Sequence, residues 1–236
     1  MRDILINNAQ LMGIALSAAQ ADMFCRYHAM LTEANRTMNL TRVPEDVEEA
    51  VARNYLDSIT PLIYGLPAGT RTLADVGSGA GFPGIPLAIM LPDIRITLID
   101  ALDKRVKFLN DVIAELGLNA HAVHARCEIA GRDPELRESF DVVTSRAVAA
   151  LNLLCELSLP LVKVGGTMIA YKGPAWQDEA AQAKNALDLL GGRITEARPA
   201  DIPGRDWEHR LVYIAKTAPC PEKYPRRPGM PEKKPL

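Results

Sequence analysis

Over the first 65 positions apolar residues recur at helical spacing. Ser17 and Gln20 have the spacing of a capping box, and Met23, Phe24, Tyr27, Met30 and Leu31 then share one face of the helix it opens. Pro44, with Glu45 and Asp46, starts a further helix toward Ser58. At Thr72 the pattern changes to short apolar runs of strand length alternating with helical stripes. Strands are predicted over 72–76, over 94–99 ending in Asp100, and over 120–125, 140–145 and 167–171. Pro83 and Pro86 fit the first turn of a helix, where a missing N–H costs little. Asp103 caps a helix whose stripe is Val106, Leu109, Val112, Ile113 and Leu116, stopped at Gly117. Further helices are predicted over 151–161 and 176–190, the second ended by Gly191 and Gly192. The stretches 194–200 and 211–216 have no helix between them, so they pair antiparallel at the sheet edge. The predicted fold is α/β: a mostly parallel sheet with a terminal antiparallel hairpin and an N-terminal helical extension. This divides the chain into a helical segment (1–65), a central domain (66–218) and a C-terminal tail (219–236).

The most informative segment is Asp75 to Pro86, DVGSGAGFPGIP, between the first strand and its helix. Gly77, Gly79 and Gly81 remove every second side chain at the turn, so a ligand can approach bare backbone at the positive end of a helix. Asp100 closes the next strand where a carboxylate can accept from both hydroxyls of a ribose. A nucleoside-containing cofactor follows. Gly79 to Gly84 formally satisfies the dinucleotide fingerprint, which keeps NAD and FAD in play. Anchored on Gly77, however, that fingerprint needs glycine at 82, and Phe82 would crowd a pyrophosphate. S-adenosylmethionine has no pyrophosphate and is favoured; a turn that binds nothing is the third reading.

Composition narrows the class. Of 236 residues, 48% are hydrophobic and 24% charged, ordinary values for a globular chain with room for one sizeable domain. Cys25, Cys127, Cys155 and Cys220 form no CxxC pair and the four histidines lack ligand spacing, so neither a metal site nor a disulfide framework is expected. Asp3, Asn7, Asn8 and Gln10 interrupt the opening stretch, and its apolar run from Leu11 to Leu16 is too short for a signal sequence. No membrane partner is expected, and a reducing cytoplasm is the predicted compartment. The net charge of −2 argues against a uniformly basic nucleic-acid binder, yet residues 216–236 carry six cations against Glu222 and Glu232, a local +4 that leaves −6 elsewhere. Cationic character concentrated there can meet phosphate.

Five parallel strands with crossover helices and a terminal hairpin describe the class I methyltransferase sheet better than a dehydrogenase, which normally needs a second catalytic domain. Over nearly its whole length the chain resembles the bacterial 16S ribosomal RNA methyltransferase family RsmG, also called GidB. The resemblance rests on Asn39-Leu40-Thr41, the RNYLDS stretch from Arg53 to Ser58, the glycine loop, the helix start at Lys104 to Leu109, Ser145-Arg146-Ala147, Tyr171-Lys172-Gly173 and the tail YPRRPGMPEKKPL from Tyr224. Many methyltransferases share the glycine loop; the SRA, YKG and tail combination is more specific. One departure is Asn54, where the family usually has histidine.

The resemblance implies methyl transfer from S-adenosylmethionine to N7 of a guanine (position 527, in the 530 loop) of 16S rRNA in the small ribosomal subunit, by a cytoplasmic monomer. It implies cofactor contacts at Gly77, Phe82, Asp100, Cys127, Glu128 and Arg146, and it places Arg126, Arg146 and Lys172 in the catalytic and RNA-facing part of the site. Taken by themselves, Glu128 either accepts from an adenine amino group or is a solvated loop acid, and Arg146 either serves the site or pairs with a surface carboxylate. Cys127 offers a backbone contact at most. By composition the Pro-rich tail reads as disordered; the resemblance makes it ordered and RNA-facing. Guanine N7 carries a lone pair and no hydrogen, so its methylation needs no general base, which agrees with the lack of an acid–base pair or nucleophile motif. The competing functions are an NAD(P)-dependent oxidoreductase, a non-catalytic ribosome-binding module, and a methyltransferase for small molecules or proteins.

Overall fold

Seven strands form one sheet in the computed structural model, which describes residues Met1 to Leu236. They are β1 (Thr72–Val76), β2 (Arg95–Asp100), β3 (Ala120–His124), β4 (Phe140–Arg146), β5 (Val162–Lys172), β6 (Gly192–Pro199) and β7 (Arg210–Lys216), in the order β3-β2-β1-β4-β5-β7-β6. The first five are parallel, and β7 lies antiparallel between β5 and β6. This is the sheet that the alternation of strands and helices predicts. Leu73, Ala74 and Val76 of β1 and Ile96, Leu98 and Ile99 of β2 are fully buried, as expected of central strands covered on both faces. Chain order reverses between β1 and β4, so a crevice opens beyond their carboxyl ends.

The helices are α1 (Arg2–Leu11), α2 (Ala18–Met38), α3 (Val47–Ala50), α4 (Asp57–Ile59), α5 (Gly84–Met90), α6 (Asp103–Leu116), α7 (Cys127–Ala130), α8 (Leu151–Ser158), α9 (Trp176–Gln182), α10 (Lys184–Leu190) and α11 (Met230–Lys233). A π-helical turn, Val51–Leu56, joins α3 to α4. No helix is long and apolar enough to cross a membrane. The Ser17–Gln20 capping box forms, and Gly117 ends α6 in the left-handed conformation. Asp103, in contrast, is not a cap: it is the first residue of α6 and bridges Lys107 at 2.7 Å, while the amide of Leu102, the N-cap, donates to Asp100. The predicted helix over 176–190 is two helices that break at the fully buried Ala183. Helix α8 stops at Ser158 rather than 161: Leu159 still has helical backbone, but Pro160 has no N–H with which to extend the hydrogen-bond ladder. Strand β5 starts at Val162, earlier than predicted, since Gly165 and Gly166 lie inside it; a Cβ on Gly166 would come within 2.7 Å of the Asp141 carbonyl.

The N-terminal helices share a core with the sheet. Leu5, Phe24, Tyr27, Leu31 and Tyr55 belong to the same buried cluster as Leu73, Ile85, Leu98 and Leu109. The opposite face packs Ala74, Val143, Leu154, Leu187 and Ile214. The tail is ordered. The guanidinium of Arg132 donates to the carbonyls of Lys223 and Pro225, and that of Arg137 to those of Cys220 and Tyr224. Arg226 forms a bidentate pair with the fully buried Glu156, at 2.6 Å for Nη2 to Oε2 and 2.9 Å for Nε to Oε1. The sequence counts Arg226 among the tail cations that can meet phosphate; its guanidinium is instead committed inside the protein.

Removing one member of a buried pair strands the other charge, at a cost of about 3–5 kcal/mol. Arg226→Ala is expected to lower the urea-unfolding free energy by roughly that amount. Adding Glu156→Gln should return part of the loss.

Candidate active site

Local chain geometry builds the site at the carboxyl ends of β1 and β4. After Val76 the chain turns at Gly77, whose φ of +71° is reserved in practice for glycine, and a Cβ there would strike Val148 Cγ2 at 2.6 Å. The amides of Gly77 and Ser78 both donate to the Ile99 carbonyl, at 2.9 and 3.1 Å. Asp100 Oδ2 accepts from the Gly79 amide at 2.8 Å and Oδ1 from the Leu102 amide at 2.9 Å. Asp75, fully buried, accepts from the Gly84 amide at 3.1 Å and from Thr144 Oγ1 at 3.2 Å.

Beside this loop lies a first cleft of about 390 Å³, lined by Gly77, Asp100, Leu102, Arg126, Cys127 and Glu128, by Ala147 to Ala149, and by Pro231 and Glu232 of the tail. It brings together most of the predicted cofactor residues. Asp100 Oδ2 also accepts from Arg105 Nη1 at 3.4 Å, so the acceptor site left on Asp100 is on Oδ1, beyond its bond from the Leu102 amide. Glu128 is buried; Arg126 Nη2 at 3.0 Å and the Gly229 amide at 2.9 Å both donate to its Oε1. Burial alone would raise the Glu128 carboxyl, but the bonds from Arg126 and Gly229 outweigh it and hold the pKa below the usual value. Burial, reinforced by the nearby Glu128 and Asp100 charges, pushes the Cys127 thiol up to about 12, so it stays protonated and is no nucleophile.

Two of the predicted cofactor residues lie elsewhere. Phe82 turns into an aromatic cluster with Tyr27 and Tyr55, ring centroids 5.5 and 5.7 Å away, and does not line the first cleft. Arg146 stacks its guanidinium over Phe82 at 5.1 Å and lines a second cleft of about 350 Å³. That second cleft is walled by Arg53, Asn54 and Asp57 of the π-turn region, Arg146 and Ala147 after β4, Tyr171 to Gly173 at the end of β5, and His209 and Arg210 at the start of β7.

The centre of the second cleft's wall is Asp57, which lies in the RNYLDS stretch but has no local sequence pattern that marks it as a site residue. Its Oδ2 accepts from Arg146 Nη1 at 2.6 Å and its Oδ1 faces His209 Nδ1 at 3.0 Å. Burial would raise this carboxyl; the partners His209 and Arg146 win and keep it ionised below the ordinary aspartate range. Arg146 also donates to the Arg53 carbonyl at 2.7 Å. Lys172 Nζ is buried and donates to the Ala149 carbonyl and to Glu179 Oε2, both at 2.6 Å, while the same Glu179 oxygen accepts from the Leu151 amide. Lys172 thus anchors the loop after β4, where Ala147 holds a left-handed φ of +56°. Ala147 lines both clefts.

Known proteins resemble this chain along its length. The model of the GidB family, described as rRNA small subunit methyltransferase G, matches residues 20–200. The ribosomal RNA small subunit methyltransferase G of Lactobacillus johnsonii is 45% identical over 227 residues, covering 95% of each chain. Its counterpart in Clostridium botulinum is 44% identical over 235 residues, covering 99% of this chain and 98% of the relative. Among solved structures, a TehB-like SAM-dependent methyltransferase from Corynebacterium glutamicum superposes with a TM-score of 0.51 at 16% identity, covering 80% of this chain and 99% of that one. This last likeness speaks for the fold.

Burial pushes the Asp75 carboxyl up to about 6 despite the bonds from Ser78, Gly84 and Thr144. The folded protein therefore holds a proton that the unfolded chain releases, so this group's stability contribution is full below about pH 4 and lost as pH rises to about 6. Asp75→Asn removes that titration. Relative to the parent, its unfolding free energy is expected to rise by about 2–3 kcal/mol between pH 4 and 6 and to stay level above, as read by urea melts across pH.

Proposed function

The chain belongs to the GidB family, the small-subunit rRNA methyltransferases G, and from that premise we propose that it methylates N7 of a guanine in the 530 loop of 16S rRNA, with S-adenosylmethionine as donor. The observation that carries this reading is the pair of clefts that meet at Ala147, one suited to a nucleoside and the other open for a base. Family membership removes the dinucleotide alternative. We read the protein as a cytoplasmic monomer whose partner is 16S rRNA in the small subunit.

The residues of the first cleft fit the cofactor. Gly77 leaves bare backbone against it, Asp100 Oδ1 keeps an acceptor site for a ribose hydroxyl, and the Oε2 of Glu128 lies outside the two bonds that fix its Oε1. When bound, S-adenosylmethionine supplies an electrophilic methyl group on a sulfonium centre. The protein's own part is to hold, orient and exclude. Arg126 acts by fixing Glu128, and Lys172 by fixing the loop between the clefts, so both are positioning residues. Arg146 and Asp57 make a rigid wall against which the base lies. Guanine N7 has no proton to lose, and the groups nearby match that need: Asp57 is ionised with each oxygen bonded to a cationic or imidazole partner, and Cys127 is protonated. Rate enhancement then comes from bringing two reactants together in line, an effect worth several kcal/mol. The narrow major groove of A-form RNA would deny access to N7, so the target base is presented from an opened loop.

The test is to measure N7-methylguanosine in 16S RNA from cells with and without this gene, then to restore it with purified protein and labelled donor. Loss and restoration are expected; identical modification in both strains overturns the reading. In the tail, Arg227 is exposed and Arg226 is not free. Arg227→Ala is therefore expected to weaken rRNA binding and to reduce the slope of log affinity against log salt by about one, without loss of stability. An unchanged slope in filter-binding titrations removes Arg227 from the RNA surface.

A further inference from the structure

The second cleft contains one buried donor that nothing in the protein satisfies. Asn54 lies in the π-helical turn, lines the cleft beside Asp57 and Arg146, and is only 7% exposed, yet its Nδ2 has no hydrogen-bond partner. Its buried neighbours are provided for. Asp57 has Arg146 and His209, Lys172 has Ala149 and Glu179, and the Tyr171 hydroxyl donates to the Ser58 carbonyl at 2.6 Å. A buried amide donor left unmet costs about 1–3 kcal/mol. Turning the amide toward the cleft breaks no bond, because its terminal torsion is broad and Nδ2 holds none.

We infer that Asn54 is a specificity residue whose Nδ2 donates to O6 of the target guanine; this rests on the function proposed above. The base must keep the N7 lone pair free for the incoming methyl group, so a donor in this cleft has to avoid N7. On the same edge of the ring the next acceptor is O6. Adenine carries an amino group there, which would meet Nδ2 donor to donor, leaving both unpaired. A neutral donor also suits the reaction. Alkylation at N7 forms the N–CH₃ bond, breaks the S–CH₃ bond and leaves the ring cationic, and a charged donor at O6 would oppose that charge whereas an amide does not. The neighbouring cations are oriented by other partners: Arg146 Nη1 by Asp57 and the Arg53 carbonyl, Lys172 Nζ by Glu179, Arg53 by Glu49 and Arg210 Nη1 by the His209 carbonyl.

The experiment uses the full chain and two small-subunit RNA substrates, one natural and one with 2-aminopurine at the target position, which keeps N7 and the 2-amino group but lacks O6. Single-turnover transfer of labelled methyl gives a guanine-to-2-aminopurine rate ratio for each enzyme. The intrinsic difference in N7 reactivity cancels when these ratios are compared. In Asn54→Ala the ratio is expected to fall by about tenfold or more from the wild-type value. Asn54→Leu, which keeps bulk without a donor, should show the same fall. The urea midpoints of both variants should match or exceed the parent's, and cofactor affinity at the other cleft should be unchanged. A ratio equal to wild type in either folded variant overturns the contact while leaving the proposed function standing. A marked loss of stability in both variants also overturns it, because Asn54 is then structural. If the wild-type protein transfers nothing to the guanine substrate, the function itself is wrong and this contact falls with it.

Discussion

A turn built largely of glycine has few side chains to hold its shape, so acceptors reaching in from neighbouring strands must hold its amides. Two carboxylates at the ends of adjacent strands do this: Asp100 takes the Gly79 amide and Asp75 the Gly84 amide, while the Ile99 carbonyl takes those of Gly77 and Ser78. Tyr27, from α2, closes the far side by donating to the Ala80 carbonyl at 2.6 Å. The N-terminal helices are therefore part of the loop's support, and a Cβ on Gly81 would come within 2.7 Å of the same tyrosine hydroxyl. Through the close approach of Gly77 to Val148, the turn also seats the loop after β4. Both clefts share that loop, so their relative position follows from the backbone of one turn.

How the protein uses its charges follows from the same economy of side chains. Arg146, Lys172 and Arg226 are each bonded to a carboxylate that is largely or wholly removed from water: Asp57, Glu179 and Glu156. Such pairs contribute little net stability over apolar packing, but they penalise any arrangement that separates them. Here they fix, in turn, the wall of the second cleft, the loop between the clefts and the entry of the C-terminal tail. Cations that look like contacts for an anionic partner are thus spent on geometry, which leaves the exposed Arg227, Lys233 and Lys234 as the solvent-facing positive groups of the last turn.

Much of this was readable in the chain and some was not, and the division has a physical basis. The strands, the capping box of α2, the glycine turn and the acid at the end of β2 are local patterns, set by periodicity and by backbone conformations that only certain residues adopt. Their predicted bounds agree with the structure to within a few residues, apart from the longer β5. The pairings Asp57 with Arg146, Asp57 with His209 and Glu156 with Arg226 join residues 89, 152 and 70 positions apart, and only the sheet order brings them together. Nor does composition reveal the π-helical turn, since VARNYL reads as ordinary helix. That turn carries Arg53 and Asn54 and leads into Asp57, and all three line one wall of the second cleft; π-helical turns are frequent at functional sites.

The ordering of the tail has its own logic in this scheme. Glu128 presents one oxygen to two donors that come from opposite directions in the chain, the Arg126 side chain just before α7 and the Gly229 amide just before α11. Pro231 and Glu232, two and three residues past that amide, line the first cleft. Arg132 and Arg137 grip the tail's carbonyls upstream of Gly229 and dock the segment against the domain. One buried acid thus ties the start of α7 to the start of α11 at the first cleft.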